Sequence, residues 1–212
     1  MTAGIETRTA SEQTRARLIN AARAVFAEHG FQGATVREIC RRAEANVAAV
    51  NYHFGSKEGL LAEALNFTQL AALQKSNVHA DACPEIRLRL FIRDFMLMLL
   101  DEKNGSRQCR IMTRELADPT PALDKIVCEA IGPLHEFLGK LVHEIVGSKV
   151  GKAEQLRCVF SIFGQCSFYY HSEPVLQRLH PELSYDRKEI EAIADHIADF
   201  SLNGLRALGK KT

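Results

Sequence analysis

The sequence predicts an all-α protein, with a small three-helix head followed by a larger helical body. Three observations lead there. Apolar residues recur at i, i+3, i+4 spacing along most of the chain, capping residues and breakers punctuate it at helix-length intervals, and no stretch shows the period-2 alternation of a half-buried strand. At 212 residues and 46% hydrophobic content, the chain can bury one or two cores.

The elements follow in order. "SEQTRARLINAARAVFAEHG" puts Leu18, Ala21, Ala22, Val25 and Phe26 on one stripe, with Ser11 as N-cap and Gly30 as a left-handed ending. Thr35 followed three residues later by Glu38 is a capping box, and it opens a short second helix over about 36–43 with Val36, Ile39, Cys40 and Ala43 inward. Glu44-Ala45-Asn46 breaks the chain, and Asn46 caps a third helix over 47–54. Two short helices joined by a tight turn behind a longer one make a helix-turn-helix pattern. Ser56 caps a fourth helix running roughly 57–74, and "SNVHADACPE" reads as a loop that ends near Pro84. Further helices fall at 85–101, 106–116, 121–146 with a bend at Gly132-Pro133, 152–171 and 185–208; "DPTP" at Asp118–Pro121 is a breaker. The expected division is a head of residues 1–56 and a body of 57–212.

Composition narrows the function. The longest apolar run, "FMLMLL" at Phe95–Leu100, is far too short to span a bilayer, and the polar N-terminus carries no apolar export signal, so a cytoplasmic protein without membrane contact is expected. Six cysteines without a CxxC pair suit free thiols in a reducing compartment; a thiol switch at Cys109, Cys158 or Cys166 is the rival reading. The net charge of +1 is unevenly spread: residues 1–57 hold eight Lys/Arg against five Glu, +3, leaving −2 for the rest. A basic head suits a polyanion. No nucleophile elbow, phosphate loop, HExxH or dinucleotide fingerprint occurs, and His53 has no second ligand at i±3 or i±4. No catalysis, metal or cofactor is expected.

The third helix suits a DNA groove. Val47, Ala48 and Ala49 at its start are small enough for close approach, with room for a thymine methyl. Val50 and Phe54 share one face and point into the head's core, so Asn51, Tyr52 and His53 project outward, where Asn51 can pair with adenine or a phosphate and Tyr52 and His53 can meet phosphates and sugars. Packing of Tyr52 and His53 against the fourth helix is the alternative. Lys57 sits where helix amides also favour a phosphate, Arg37 of the second helix can reach a guanine edge, and Thr35 can touch the backbone.

"GATVREICRRAEANVAAVNYHFGSKEGLL" resembles the DNA-binding segment of the tetracycline-repressor-like (TetR/AcrR) family of bacterial transcription regulators, over about residues 12–62. The resemblance implies base contacts at Arg37, Val47, Ala48 and Ala49. It implies DNA-backbone contacts at Thr35, Asn51, Tyr52, His53 and Lys57. Glu44 departs from the family, which usually has glycine in the turn; a positive φ there would strain glutamate.

The family resemblance also implies a C-terminal domain that dimerises and binds a small effector. Phe160, Ser161, Gly164 and Phe168 on one late helix, with Ile193, Ile197, Phe200, Ser201 and Gly204 on the last, are the candidate dimer face. Packing within one chain is the alternative. "CRIMTRELADPTPALDKI" and "FGQCSFYYHSEPVLQRL" resemble the CecR-type subset of the family. Phe95, Met98, Met112, Phe137, Gln165, Cys166 and Tyr169 are the candidate effector pocket. Arg110 and Arg114, i and i+4 on one helix, are expected to pair with Glu115 or Asp118 on the surface; neutralising an anionic ligand is the alternative. The expected function is a homodimeric repressor released from a palindromic operator in double-stranded DNA by a small-molecule effector; an architectural DNA-binding protein without effector is the second rival.

Overall fold

A computed structural model describes residues 3–65, 81–100 and 106–211. It is all-α: no strand occurs among the described residues, and none of their helices is long and apolar enough to cross a membrane. The chain forms two compact units, residues 1–66 with 107–127, and residues 67–106 with 128–212.

In the first unit α1 spans Ala3–Gly33 and kinks at Gly30, whose φ of 68° is the left-handed ending expected there, before one more turn. Ser11, expected as N-cap, lies inside α1 instead. Nothing at 3–10 stops the helix, and Thr14 Oγ1 donates back to the Ala10 carbonyl at 3.0 Å as a mid-helix threonine does. Leu18, Ala21, Ala22, Val25 and Phe26 are all buried, as their spacing predicts.

α2 spans Val36–Arg42 and α3 spans Ala48–Phe54. Thr35 Oγ1 accepts from the Glu38 N–H at 3.2 Å, but the reciprocal half of the capping box does not form. Arg41 and Arg42 take the Glu38 carboxylate instead. Asn46 Oδ1 accepts from the Ala48 N–H at 2.9 Å and starts α3.

In the turn between them Glu44 has φ 50°, a non-glycine residue in the left-handed region. A Cβ there meets its own backbone, at a cost of about 1 kcal/mol. Glu44→Gly is expected to gain about 0.5 kcal/mol net, after the entropy that glycine loses on folding. A higher urea midpoint for loss of helicity checks this.

α4 spans Lys57–Ala64, with Ser56 Oγ accepting from the Gly59 N–H at 3.1 Å; the rest of the helix expected to residue 74 lies outside the described residues. Gly59 is required by close approach, since a Cβ there would stand 2.1 Å from the Phe54 carbonyl oxygen. Arg23 Nε donates to the Ala64 carbonyl at 2.8 Å, and Arg15 pairs with Glu63 at 2.6 Å while lying over the Phe54 ring. These contacts clamp α4 onto α1.

The first unit also takes in α6, Ser106–Ala117, and α7, Ala122–Ile126, which packs on α4. The unit is therefore larger than the head read from local sequence. Glu115 is 3% exposed and its Oε1 accepts from the Thr120 N–H and Oγ1 at 2.8 and 2.7 Å. Arg114 pairs with neither Glu115 nor Asp118, contrary to expectation, and its Nη1 instead donates to the Phe26 carbonyl at 3.4 Å.

The second unit holds α5, Pro84–Leu100, α8, Gly132–Val146, α9, Lys152–His171, α10, Glu173–Leu179, and α11, Arg187–Lys211. α11 packs on α5, α8 and α9, around Leu88, Ile92, Met96, Leu138, Leu141 and Ala198. α10 was not expected. A π-helical turn, Val127–Ile131, precedes α8 where a bend was anticipated. Pro133 explains it: proline offers no N–H to the Glu129 carbonyl and its ring pushes that carbonyl away, so the preceding turn widens.

Candidate nucleic-acid interface

The outward face of α3 forms as its local sequence dictates. Val50 is 1% exposed and anchors the helix, with Phe54 half-buried beside it under the Arg15 guanidinium. With that face committed, the 100° step of a helix turns the intervening residues outward. Asn51 is exposed, Tyr52 is 80% exposed, and His53 is half-buried. The rings of Tyr52 and His53 meet edge to face, 4.8 Å between centroids. Tyr52 thus does not close the head against α4; it stands in solvent, braced by its neighbour. At the start of α3, Val47 and Ala48 are exposed and Ala49 is half-buried.

The second helix presents its charges unevenly. Arg41 grips Glu38 with two bonds of 2.8 Å, while Arg42 reaches Glu38 at 2.7 Å and Glu28 at 2.8 Å. Hydrogen bonds from Arg41 and then Arg42 hold the Glu38 carboxyl down at about 2, so this network stays ionised at any ordinary pH. Arg37 is exposed and makes no ion pair among the described residues. Its guanidinium is thereby available. Thr35 is exposed as well, with its hydroxyl already accepting at the helix start.

Lys57, expected at a phosphate by the start of α4, packs on a ring in the single chain. Its ammonium sits 4.2 Å from the centre of the Phe31 ring, and burial lowers its pKa. Phe31 reaches this position because Gly30 kinks α1, and it stacks in turn on Phe26. Sequence reading missed both Phe31 and Gly59. A ring 26 residues from its lysine, brought there by a kink, leaves no local signature.

The two C-terminal groups sort by exposure. Phe160 (57%), Phe168 (54%) and Phe200 (66%) are exposed, as are Ser161, Gly164 and Gly204. Ile193, Ile197 and Ser201 turn the other way and are buried within the chain's own second unit. Gln165 Nε2 lies 3.3 Å from Ser201 Oγ and sets α9 beside α11, so the exposed phenylalanines of the two helices border one surface. Of the residues expected to line an effector pocket, Phe95 and Cys166 are buried, and Met98, Phe137 and Tyr169 pack around them, with Gln165 alongside. Phe95 and Phe137 join Phe91 and Phe163 in a cluster of rings 5.5–6.1 Å apart. Met112 belongs to the first unit instead.

Comparison with known proteins fits this geometry. The family described as bacterial regulatory proteins, tetR family, matches residues 18–64. The C-terminal domain of the HTH-type transcriptional dual regulator CecR matches residues 84–205. The HTH-type transcriptional dual regulator CecR of Shigella flexneri is 28% identical over 210 residues, covering 92% of this chain and 93% of the relative. A transcriptional regulator of Pseudomonas aeruginosa PAO1 has a similar structure, with a TM-score of 0.71 at 21% identity, over 92% of this chain and 93% of that one. AibR, solved in complex with isovaleryl coenzyme A and operator DNA, superposes with a TM-score of 0.64 at 22% identity, over 89% of this chain and 97% of its own.

Proposed function

This chain belongs to the tetR family of bacterial regulatory proteins, with a CecR-type C-terminal domain, and from that premise we propose that it acts as a homodimeric repressor released from a palindromic operator by a small-molecule effector. The observation that carries the reading is the split of α3 into a buried anchor, Val50, and an outward set, Asn51, Tyr52 and His53, behind a small-residue start. A helix so arranged can lie in a major groove with Val47, Ala48 and Ala49 against base edges while the polar trio holds phosphates and sugars. Thr35 and Lys57 add backbone contacts, and Arg37 reads a base pair. The reader is a regulator in the cytoplasm, where its DNA is, and catalysis has no place in this scheme.

In this scheme residues 1–56, with Lys57 at the boundary, grip DNA, and the rest of residues 57–212 bind the effector and the second copy. The dimer face is the exposed set, Phe160, Ser161, Gly164, Phe168, Phe200 and Gly204. At Gly164 and Gly204 a Cβ would meet nothing within 4 Å in the single chain. Glycines there serve no contact inside the chain and leave room for a partner helix to come close. AibR, with its acyl coenzyme A and operator, supports effector control on this fold. Effector control of the head would be a coupling between two binding events.

Two rivals weaken. Burial pushes the Cys109 thiol up to about 11 and Cys166 up to about 12, and burial together with the Glu154 carboxylate raises Cys158. Thiols held protonated are poor nucleophiles, which disfavours a redox switch at these three. An architectural protein needs no outward base-reading set.

The test is footprinting on the DNA upstream of the chain's own gene, with and without a small-molecule panel. Two protected half-sites with centres about one helical turn apart are expected; uniform protection of unrelated DNA would favour the architectural rival. Lys57→Ala is expected to weaken all sequences alike and to reduce the salt slope of log K by about one unit. For that contact the ammonium must swing from Phe31 to a phosphate. An unaltered slope would take Lys57 out of the grip.

A further inference from the structure

α3 is seven residues long, about two turns, and so short a helix keeps its direction through what it packs on. Val50 is its buried residue and anchors the first turn. The second turn ends on Phe54, which is half-buried, and Gly55 with φ 75° stops the helix there. Whatever holds Phe54 therefore sets the direction of the end that carries Tyr52 and His53.

Two neighbours meet the Phe54 ring. The Arg15 guanidinium of α1 stands 5.5 Å from its centre. The His53 ring lies 5.8 Å from it, and His53 in turn meets Tyr52 at 4.8 Å. A row of three rings thus runs from the outward face of α3 to its root, with Arg15 at the foot. Arg15 does not swing freely: its Nη2 donates to Glu63 Oε2 of α4 at 2.6 Å. The other oxygen of that carboxylate faces Lys125 Nζ of α7 at 3.8 Å. Arginine suits this place as lysine does not, because a planar fork can lie over a ring and donate in its own plane at once. The two side chains of the pair are 42% and 33% exposed, so the bond adds little to stability. Its worth lies in direction.

We propose that Arg15 is a positioning residue for the DNA grip: held by Glu63, it fixes Phe54 and, through the row of rings, His53 and Tyr52, without itself touching DNA. This rests on the reading of α3 as the groove helix. Groups that grip a ligand need to be held within about 0.5 Å of the working geometry by neighbours that are themselves locked in place.

Glu63→Gln decides the matter by sign. It removes a negative charge from the unit that carries α3, so charge alone would tighten binding to every DNA. Loss of the Arg15 anchor instead weakens operator binding about two- to fivefold, the scale of an exposed cation–ring contact, while affinity for unrelated DNA holds or rises. Arg15→Met is expected to weaken the operator to the same extent with the salt slope of log K unchanged, since no phosphate contact is lost. The double variant changes no net charge and is expected to lose no more than either single one, because both break the same link. Urea midpoints near that of the parent separate this from a general loss of stability. In the free protein, the Gly55 amide donates to the Asn51 carbonyl at 3.0 Å, and its hydrogen exchange is expected to quicken about two- to fivefold in both variants. Tighter operator binding by Glu63→Gln, or an unchanged Gly55 exchange rate, would overturn the proposal. So would a slope reduced by about one unit in Arg15→Met, which would make Arg15 a phosphate contact. If the parent protects no operator, the operator reading is what fails, and the exchange rates decide alone whether Arg15 fixes the end of α3.

Discussion

A chain carrying Phe160→Glu together with Phe200→Glu is expected to sediment as a monomer and to lose about a hundredfold or more of its affinity for a two-half-site operator. Both rings stand more than half exposed in the single chain, at 57% and 66%, so neither holds the fold. Helicity of the variant should therefore match that of the parent. In a two-fold dimer each substitution acts twice, because the same patch faces its own copy. The change removes four aromatic rings from the contact and puts four carboxylates in their place. Burying a phenylalanine side chain is worth about 1.5–3 kcal/mol, and like charges brought together out of water oppose association further. Once the heads separate, the second half-site no longer benefits from the first, which costs about 10²–10⁴ in avidity. Equilibrium sedimentation and titration of the footprinted operator check both parts. A double variant that stays dimeric would move the interface elsewhere.

Arg37→Ala is expected to cost about 1–3 kcal/mol of operator binding and to relax preference at one base pair in each half-site. The argument is one of elimination along α2. Arg41 and Arg42 are already bonded to Glu38, and Arg42 to Glu28 as well. Taking either to a guanine would break charge-assisted bonds before making new ones. Arg37 has no such bond to break, and its exposed fork can meet guanine O6 and N7 with two parallel hydrogen bonds. Competition against operators altered one base pair at a time separates this from a phosphate contact. A uniform loss across all sequences would make Arg37 a backbone contact and leave base reading to Val47, Ala48 and Ala49.

The head was legible where one residue decides the local backbone. Thr35, Asn46 and Ser56 each accept a bond from an amide two or three positions on, and such caps depend on nothing distant. Glu44 is similar: the turn sets its φ, and the departure from glycine flagged the strain. Long-range arrangements were not legible. Nothing near residues 107–127 says that they pack with the head, because that contact is made with α4, some sixty residues away. The dimer candidates show the limit of periodicity. Ile193, Ile197, Phe200 and Gly204 all look like one apolar stripe, yet α11 has two apolar faces, and the two isoleucines belong to the chain's own core. Periodicity marks apolar positions without naming the partner. α10 escaped notice because it is seven residues long and opens without a side-chain cap.

If the head grips DNA as proposed, the bonds that hold Arg41 and Arg42 to Glu38 would set a timescale as well as a charge. Glu28, Glu38, Arg41 and Arg42 together sum to zero, so in the proposed complex α2 would add to the head's pull on bare phosphate chiefly through Arg37. Each loose cation on such a head would lengthen its stay on every stretch of DNA alike, right or wrong. With most of that charge spent internally, the proposed grip would release a wrong stretch quickly, and its search for an operator would proceed by many brief visits.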